Sequence, residues 1–130
     1  MPVYVSLSPV IPAINDHEIE EIIAAAANAG AVGAYSIPVR LPHEVAPLFR
    51  DWLATHFPDR AARVMHHITT MRGGKDNDPR FFARFQAQGP YASLMRQRFH
   101  KACAAHGLSR DRIMLDCSRF RPPTDQFSLF

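Results

Sequence analysis

Apolar and polar positions alternate at the start of the chain, with Val3, Val5 and Leu7 set against Tyr4 and Ser6, and the sequence then stays apolar from Pro9 to Pro12. Alternation of period two predicts a β-strand, and the run that follows predicts burial on both faces. Pro9 and Pro12 have no amide to donate to a ladder, so the strand should end near Val10 or Ile11. Asn15 is placed as an N-cap, with Glu18 three residues on completing a capping box. From Asp16 to Asn28 the period changes. Ile19, Ile22, Ile23, Ala26 and Ala27 fall on one helical face, and Gly30 supplies the stop. Ala31 to Leu41, with Val32, Tyr35, Ile37 and Val39, predicts a second strand, so the unit is a parallel β-α-β crossover.

Helical spacing returns at Val45, Leu48, Phe49, Trp52 and Leu53, a predicted inner face in which Pro47 fits only the first turn. Pro58 opens another helix, with Ala61, Val64, Met65, Ile68 and Met71 inward and Gly73-Gly74 as its stop. Lys75 to Asp78 reads as a polar loop. Phe81, Phe82 and Phe85 predict a short aromatic helix before Gly89-Pro90, and Tyr91, Leu94, Met95, Arg98, Phe99 and Ala102 a last long one closed by Gly107. Ile113 to Leu115 reads as extended. The expected class is α/β: two parallel strands with crossover helices over residues 1–74, a basic helical extension packed on them over 75–121, and a flexible tail over 122–130. Two parallel strands are too few for a covered sheet, so the chain should oligomerise or form a piece of a larger barrel. Val3, Val5, Leu7, Ile11 and Ile14 are then expected to face a cavity or a partner.

Length and composition narrow this picture. With 130 residues, 47% of them apolar, the chain suits one globular domain, and no apolar run approaches the roughly 20 residues of a spanning helix. Met1-Pro2 leads straight into the first strand with no secretory signature, and Cys103 and Cys117 make no disulfide framework, so a soluble, cytoplasmic, reduced protein without a membrane partner is expected. The net charge of +3 is unevenly spread: residues 1–58 carry two basic and six acidic side chains, residues 59–130 thirteen and six. The second half is the one an anionic partner would meet.

Within it, Arg72, Lys75, Arg80, Arg84, Arg96, Arg98 and Lys101 interleave with Phe81, Phe82, Phe85, Tyr91 and Phe99, a mixture suited to holding phosphate and stacking bases in DNA. The same spacing also places the aromatic residues inward as core and leaves the arginines as a solvated face, and both readings stand. The histidines offer less. His66 and His67 splay apart on a helix, and His100 and His106 lie some 120° apart around theirs, so Cys103 and these two make no three-ligand metal site by themselves. Gly73-Gly74-Lys75 lacks the spacing of a phosphate loop.

Several short stretches, taken in order, resemble a known family. They are the run from Pro9 to Ile19, Ala29-Gly30-Ala31, Val39-Arg40-Leu41-Pro42, Met71-Arg72-Gly73-Gly74-Lys75, Gly89-Pro90-Tyr91, Arg98-Phe99 and Leu115-Asp116-Cys117. Together they look like the C-terminal half of the radical S-adenosylmethionine superfamily, in the group described as spore photoproduct lyase-like or DNA repair photolyase-like. The resemblance implies a partial (β/α)6 TIM-like barrel that holds a [4Fe-4S] cluster and S-adenosylmethionine. There, reductive cleavage of S-adenosylmethionine gives a 5′-deoxyadenosyl radical that takes hydrogen from the substrate. The family's Cys-x3-Cys-x2-Cys cluster loop has no counterpart here, so the resemblance implies a fragment without catalytic residues, inactive until joined to the missing N-terminal barrel half. The family's Gly-x-Ile-x-Gly-x-x-Glu cofactor contact falls on Pro9 to Asp16, and by that likeness Ile11, Ala13, Ile14 and Asp16 are the cofactor-binding residues. Pro9 stands where the pattern has its first glycine. Read without the family, the same apolar stretch is core.

The final residues, Gln126-Phe127-Ser128-Leu129-Phe130, resemble the peptide by which bacterial repair proteins dock into the replication sliding clamp. By that likeness Gln126 sits at the groove mouth and Leu129 and Phe130 fill its pocket, Phe127 departing from the usual leucine. The alternative to the enzyme fragment is therefore a small non-enzymatic adaptor that touches nucleic acid through Arg72, Lys75, Arg80, Arg84 and Arg96 and reaches a clamp through its tail.

Overall fold

In a computed structural model, which describes residues 1–77, 85–111, 118 and 120–121, strand β1 (Tyr4–Val10) lies beside β2 (Gly33–Pro38). They pair in parallel, Ser6 opposite Tyr35 and Leu7 opposite Ser36, with a register shift between Leu7 and Val10. Helix α1 (Ile19–Asn28), entered through a 3-10 turn at Asp16–Glu18, makes the crossover. Helices α2 (Val45–His56) and α3 (Pro58–Met71) follow as a pair, and α4 (Pro90–Ala105) returns to the strands. The described residues are thus of the α/β class. Pro58 and Pro90 each begin a helix, where a missing amide costs nothing. Helix α3 ends where Gly73 and Gly74 take positive φ and the Gly74 amide donates to the Thr69 carbonyl at 2.8 Å. No helix among the described residues is long and apolar enough to cross a membrane.

Two cores meet at the end of β1. In the first, Leu7, Val10 and Ala34 pack beneath Ile19 and Ile23 of α1 and Met95 and Phe99 of α4, so the strands and the helical extension share one interior. In the second, Leu53 of α2 and Val64 and Ile68 of α3 close on Val39 and Leu41, with Ile11 and Ile14 packed alongside. The expectation that Val3, Val5, Leu7, Ile11 and Ile14 face a cavity or a partner is therefore corrected for Leu7, which lies inside a complete core. Leu7 is core, Val5 borders it, Ile11 and Ile14 are half-buried against the second core, and Val3, at 54% exposure, lies open. The reason is the pleat: up to Leu7 the isoleucine stripe of α1 covers the odd-numbered face of β1 and leaves Ser6, opposite Tyr35, exposed on the other, and the register shift after Leu7 then turns Val10 inward.

Helix α2 also turns differently from its pattern. It buries Ala46 and Leu53 and half-buries Phe49, while Val45, Leu48 and Trp52 are exposed, Leu48 to 65%. Trp52 instead forms a surface aromatic group with Phe49 and Phe57, at centroid distances of 5.6 and 5.2 Å. On α4, Leu94 is likewise exposed, and Ala92 completes the buried stripe.

On its far side β2 is held at its first residues by a parallel bridge between Gly33 and Ser109. The Ser109 amide donates to the Val32 carbonyl at 3.0 Å, and the Ala34 amide donates to the Ser109 carbonyl at 2.8 Å. The Tyr4 ring lies directly over Gly33, and a Cβ there would meet both that ring and the Ser109 oxygen, the latter at 2.7 Å. Gly33→Ala is expected to cost about 1–3 kcal/mol in urea denaturation. Adding Tyr4→Ala should recover only part of the loss, because the second obstacle is backbone. An unchanged midpoint for Gly33→Ala would show that the Ser109 bridge yields.

Candidate functional site

The C-terminal end of β1 runs into a tight turn from Val10 to Asp16. The Ile14 and Asn15 amides both donate to the Ile11 carbonyl at 3.2 Å. Asn15 faces back along the chain: its Oδ1 accepts from the Ile11 amide at 2.7 Å, and its Nδ2 donates to the Pro9 carbonyl at 3.1 Å. This corrects the capping box. Asn15 makes no side-chain cap bond to the helix, because its carboxamide is spent stapling the turn. Ala13 takes φ 59°, the left-handed region that costs a residue with a Cβ roughly 1–2 kcal/mol. That is the position at which the cofactor pattern carries its second glycine.

Asp16 closes the turn and is only 7% exposed. Its Oδ2 accepts the Tyr91 hydroxyl at 2.6 Å, from the start of α4, and lies 4.0 Å from Arg98 Nη1. Arg98 grips Glu20 of α1 with two nitrogens, at 2.7 and 2.6 Å, and the Glu20 carboxyl is held below the usual carboxylate range by that fork. His67 of α3 stacks on the Tyr91 ring at 4.0 Å and 21°. Burial, then the charges of His66 and Arg63, push its pKa down, while Asp16 works against them. Burial, then the bond to Asp16, pushes the Tyr91 hydroxyl up, so it stays a proton donor at neutral pH. One carboxylate and one phenol thus tie the β1 turn, α3 and α4 into a fixed frame.

The structure brings Ile11, Ala13, Ile14 and Asp16 into this single turn, with Ile11, Ala13 and Ile14 half-buried against the second core. Nothing in the sequence pointed to Tyr91, Arg98, Glu20 and His67 as its partners. Tyr91 lies 75 residues from Asp16 and Arg98 78 from Glu20, beyond the reach of any local spacing.

The basic residues separate. Arg72 is buried at 5% exposure and donates to the Gln86 carbonyl at 2.6 Å and the Val39 carbonyl at 3.1 Å, which takes it out of reach of a phosphate in solution. Arg96 is exposed, with one nitrogen on the Ala87 carbonyl at 2.9 Å, so it and Arg72 hold consecutive carbonyls of one segment. Lys75 is exposed. Arg80 and Arg84 lie outside the described residues, as do Phe81, Phe82, Ile113 to Cys117 and the tail residues Gln126, Leu129 and Phe130. Cys103 is buried in the first core, which raises its thiol pKa, and His106 is exposed. Among the described residues no three His, Cys, Asp or Glu side chains are placed to share a metal ion.

A cavity of about 620 Å³ opens between β2 and α4, lined by Val10 and Pro38 at the strand ends and by Met95, Arg96 and Phe99 of the helix. Comparison with known proteins finds no family model, no curated protein and no solved structure that matches this chain.

Proposed function

We propose that this chain forms the last two strands and the C-terminal extension of a radical S-adenosylmethionine barrel resembling the DNA photoproduct lyases, and that it contributes one wall of the cofactor pocket. The observation that carries the reading is the left-handed backbone at Ala13, in a strand-to-helix turn at the C-terminal end of a parallel strand. Such strand ends are where α/β folds place ligands. Among the described residues β1 has no neighbour on its outer edge, which suits a sheet that continues into further strands.

The residues present do not fit an iron–sulfur cluster, since Cys103 is buried and no ligand group is assembled among the described residues. In this reading the cluster belongs to the other half, and no step is derived through it. They do fit an adenosyl group: Ile11 and Ile14 offer partly open apolar surface, and Ala13 keeps the backbone turn that a close ligand needs. Asp16 fixes that turn through Tyr91 rather than reaching a ribose hydroxyl. S-adenosylmethionine, once bound, supplies the radical chemistry; the chain's own part is to hold and orient the adenosyl end.

The DNA upstream of the Met1 codon, or a separate partner gene, is expected to encode a Cys-x3-Cys-x2-Cys segment. The anaerobically reconstituted assembly should carry iron and sulfide and bind S-adenosylmethionine. Ala13→Val, which strains the turn, should weaken that binding about tenfold. Absence of any such segment, or equal binding by the variant, would sink the reading. Salt-dependent DNA binding by this chain alone would then favour the adaptor.

A further inference from the structure

The cavity beside β2 has features that the barrel reading does not use. Its volume, about 620 Å³, falls in the range of roughly 300–1,000 Å³ usual for small-molecule sites. Met95 and Phe99 of α4, each 5% exposed, show their edges to the cavity in front of the buried Val10 and Ile19, with the Met95 thioether as a polarisable contact. One wall is the outer edge of β2. The Ala34 amide already points that way, to the Ser109 carbonyl, and alternation along the strand turns the Ser36 amide and carbonyl the same way. Among the described residues neither Ser36 group has a partner on that side. A donor and an acceptor side by side match the donor–acceptor edge of a nucleobase.

The rim is cationic. Arg96 and Arg110 are both exposed there, against the single carboxylate of Asp111. His100 also lines the cavity, and its pKa is held down by burial and by those two arginines, so at neutral pH it is an uncharged hydrogen-bonding ring. Two arginines at the rim attract a phosphate, and the cavity's lining shares no residue with the Ile11 to Asp16 turn.

We propose that the cavity between β2 and α4 binds a mononucleotide-sized anion, with its ring over Met95 and Phe99, its base edge on the Ser36 backbone and its phosphate at Arg96 and Arg110. The proposal stands whether or not the chain belongs to a barrel, and its test needs neither cluster nor partner. The full chain is titrated calorimetrically with adenosine 5′-monophosphate, and with adenosine and inorganic phosphate as the two halves of that probe. Saturable binding of the monophosphate is expected, at least about tenfold tighter than either half, since each half forgoes one set of contacts. Arg110→Ala and Arg96→Gln should each weaken it about tenfold, with circular dichroism unchanged. The two variants lie on different elements, so misfolding of one leaves the other to decide. No saturation at millimolar monophosphate, equal affinity for adenosine alone, or unaltered binding in a folded variant would each overturn the proposal.

Discussion

Ile68→Ala is expected to remove about 2–5 kcal/mol of stability in urea or thermal denaturation, whereas Leu48→Ala should change it by no more than about 0.5 kcal/mol. Both are apolar residues at helical spacing, Ile68 on α3 and Leu48 on α2. Ile68 is fully enclosed between α3, α2 and the strand ends, so truncation leaves a hole that neighbours on three sides cannot fill. Leu48 stands in water on α2, and its removal takes away little packing. If Leu48→Ala proved as costly as Ile68→Ala, α2 would have to be rotated so that its Val45, Leu48 and Trp52 stripe faces inward.

Arg72→Ala should cost about 3 kcal/mol, because it strips a charged donor from the Gln86 and Val39 carbonyls at once. Arg72→Lys is not expected to restore it: an ammonium carries all its donors on one nitrogen and cannot span the two carbonyls that separate guanidinium nitrogens meet. Chemical denaturation of the two variants reads this directly. A loss below about 1 kcal/mol in either would mean that water replaces the guanidinium and that the 86–88 segment is not held as described.

Much of the element order was legible because period and punctuation agree. Proline at the first helical position and paired glycines at the end marked α3 within the residues it occupies, and the isoleucine stripe of α1 named its buried side. The faces were harder. On α2, Phe49 and Leu53 of the expected face turn inward, whereas Val45, Leu48 and Trp52 stand outside it and the small Ala46 lies within; helical spacing alone does not set how far round the buried stripe reaches, which the packing of α3 against α2 decides. On β1 alternation marked the Val5 and Leu7 face, but not that α1 and α4 would close a core over it, since Met95 and Phe99 come from far along the chain. At the turn, the positive φ of Ala13 had no local signal in its side chain, and Asn15 was read as a helix cap and serves as a staple. The partners of Asp16 depended on α4 arriving from far along the chain. Arg72 looked like surface charge because no local signal distinguishes an arginine that will meet carbonyls from one that will meet solvent.

The sharing of one interior by β1, α1 and α4 has a consequence for the order of events during synthesis. Helices α2 and α3 are adjacent in sequence and bring Leu53, Val64 and Ile68 together over Val39 and Leu41, a set of contacts that closes over short loops. The first strands, although made earliest, have Leu7, Ile19 and Ile23 waiting for Met95 and Phe99. Until Ala105 has left the ribosome the oldest part of the chain is its least protected, and the last helix acts as the latch that finishes the first core.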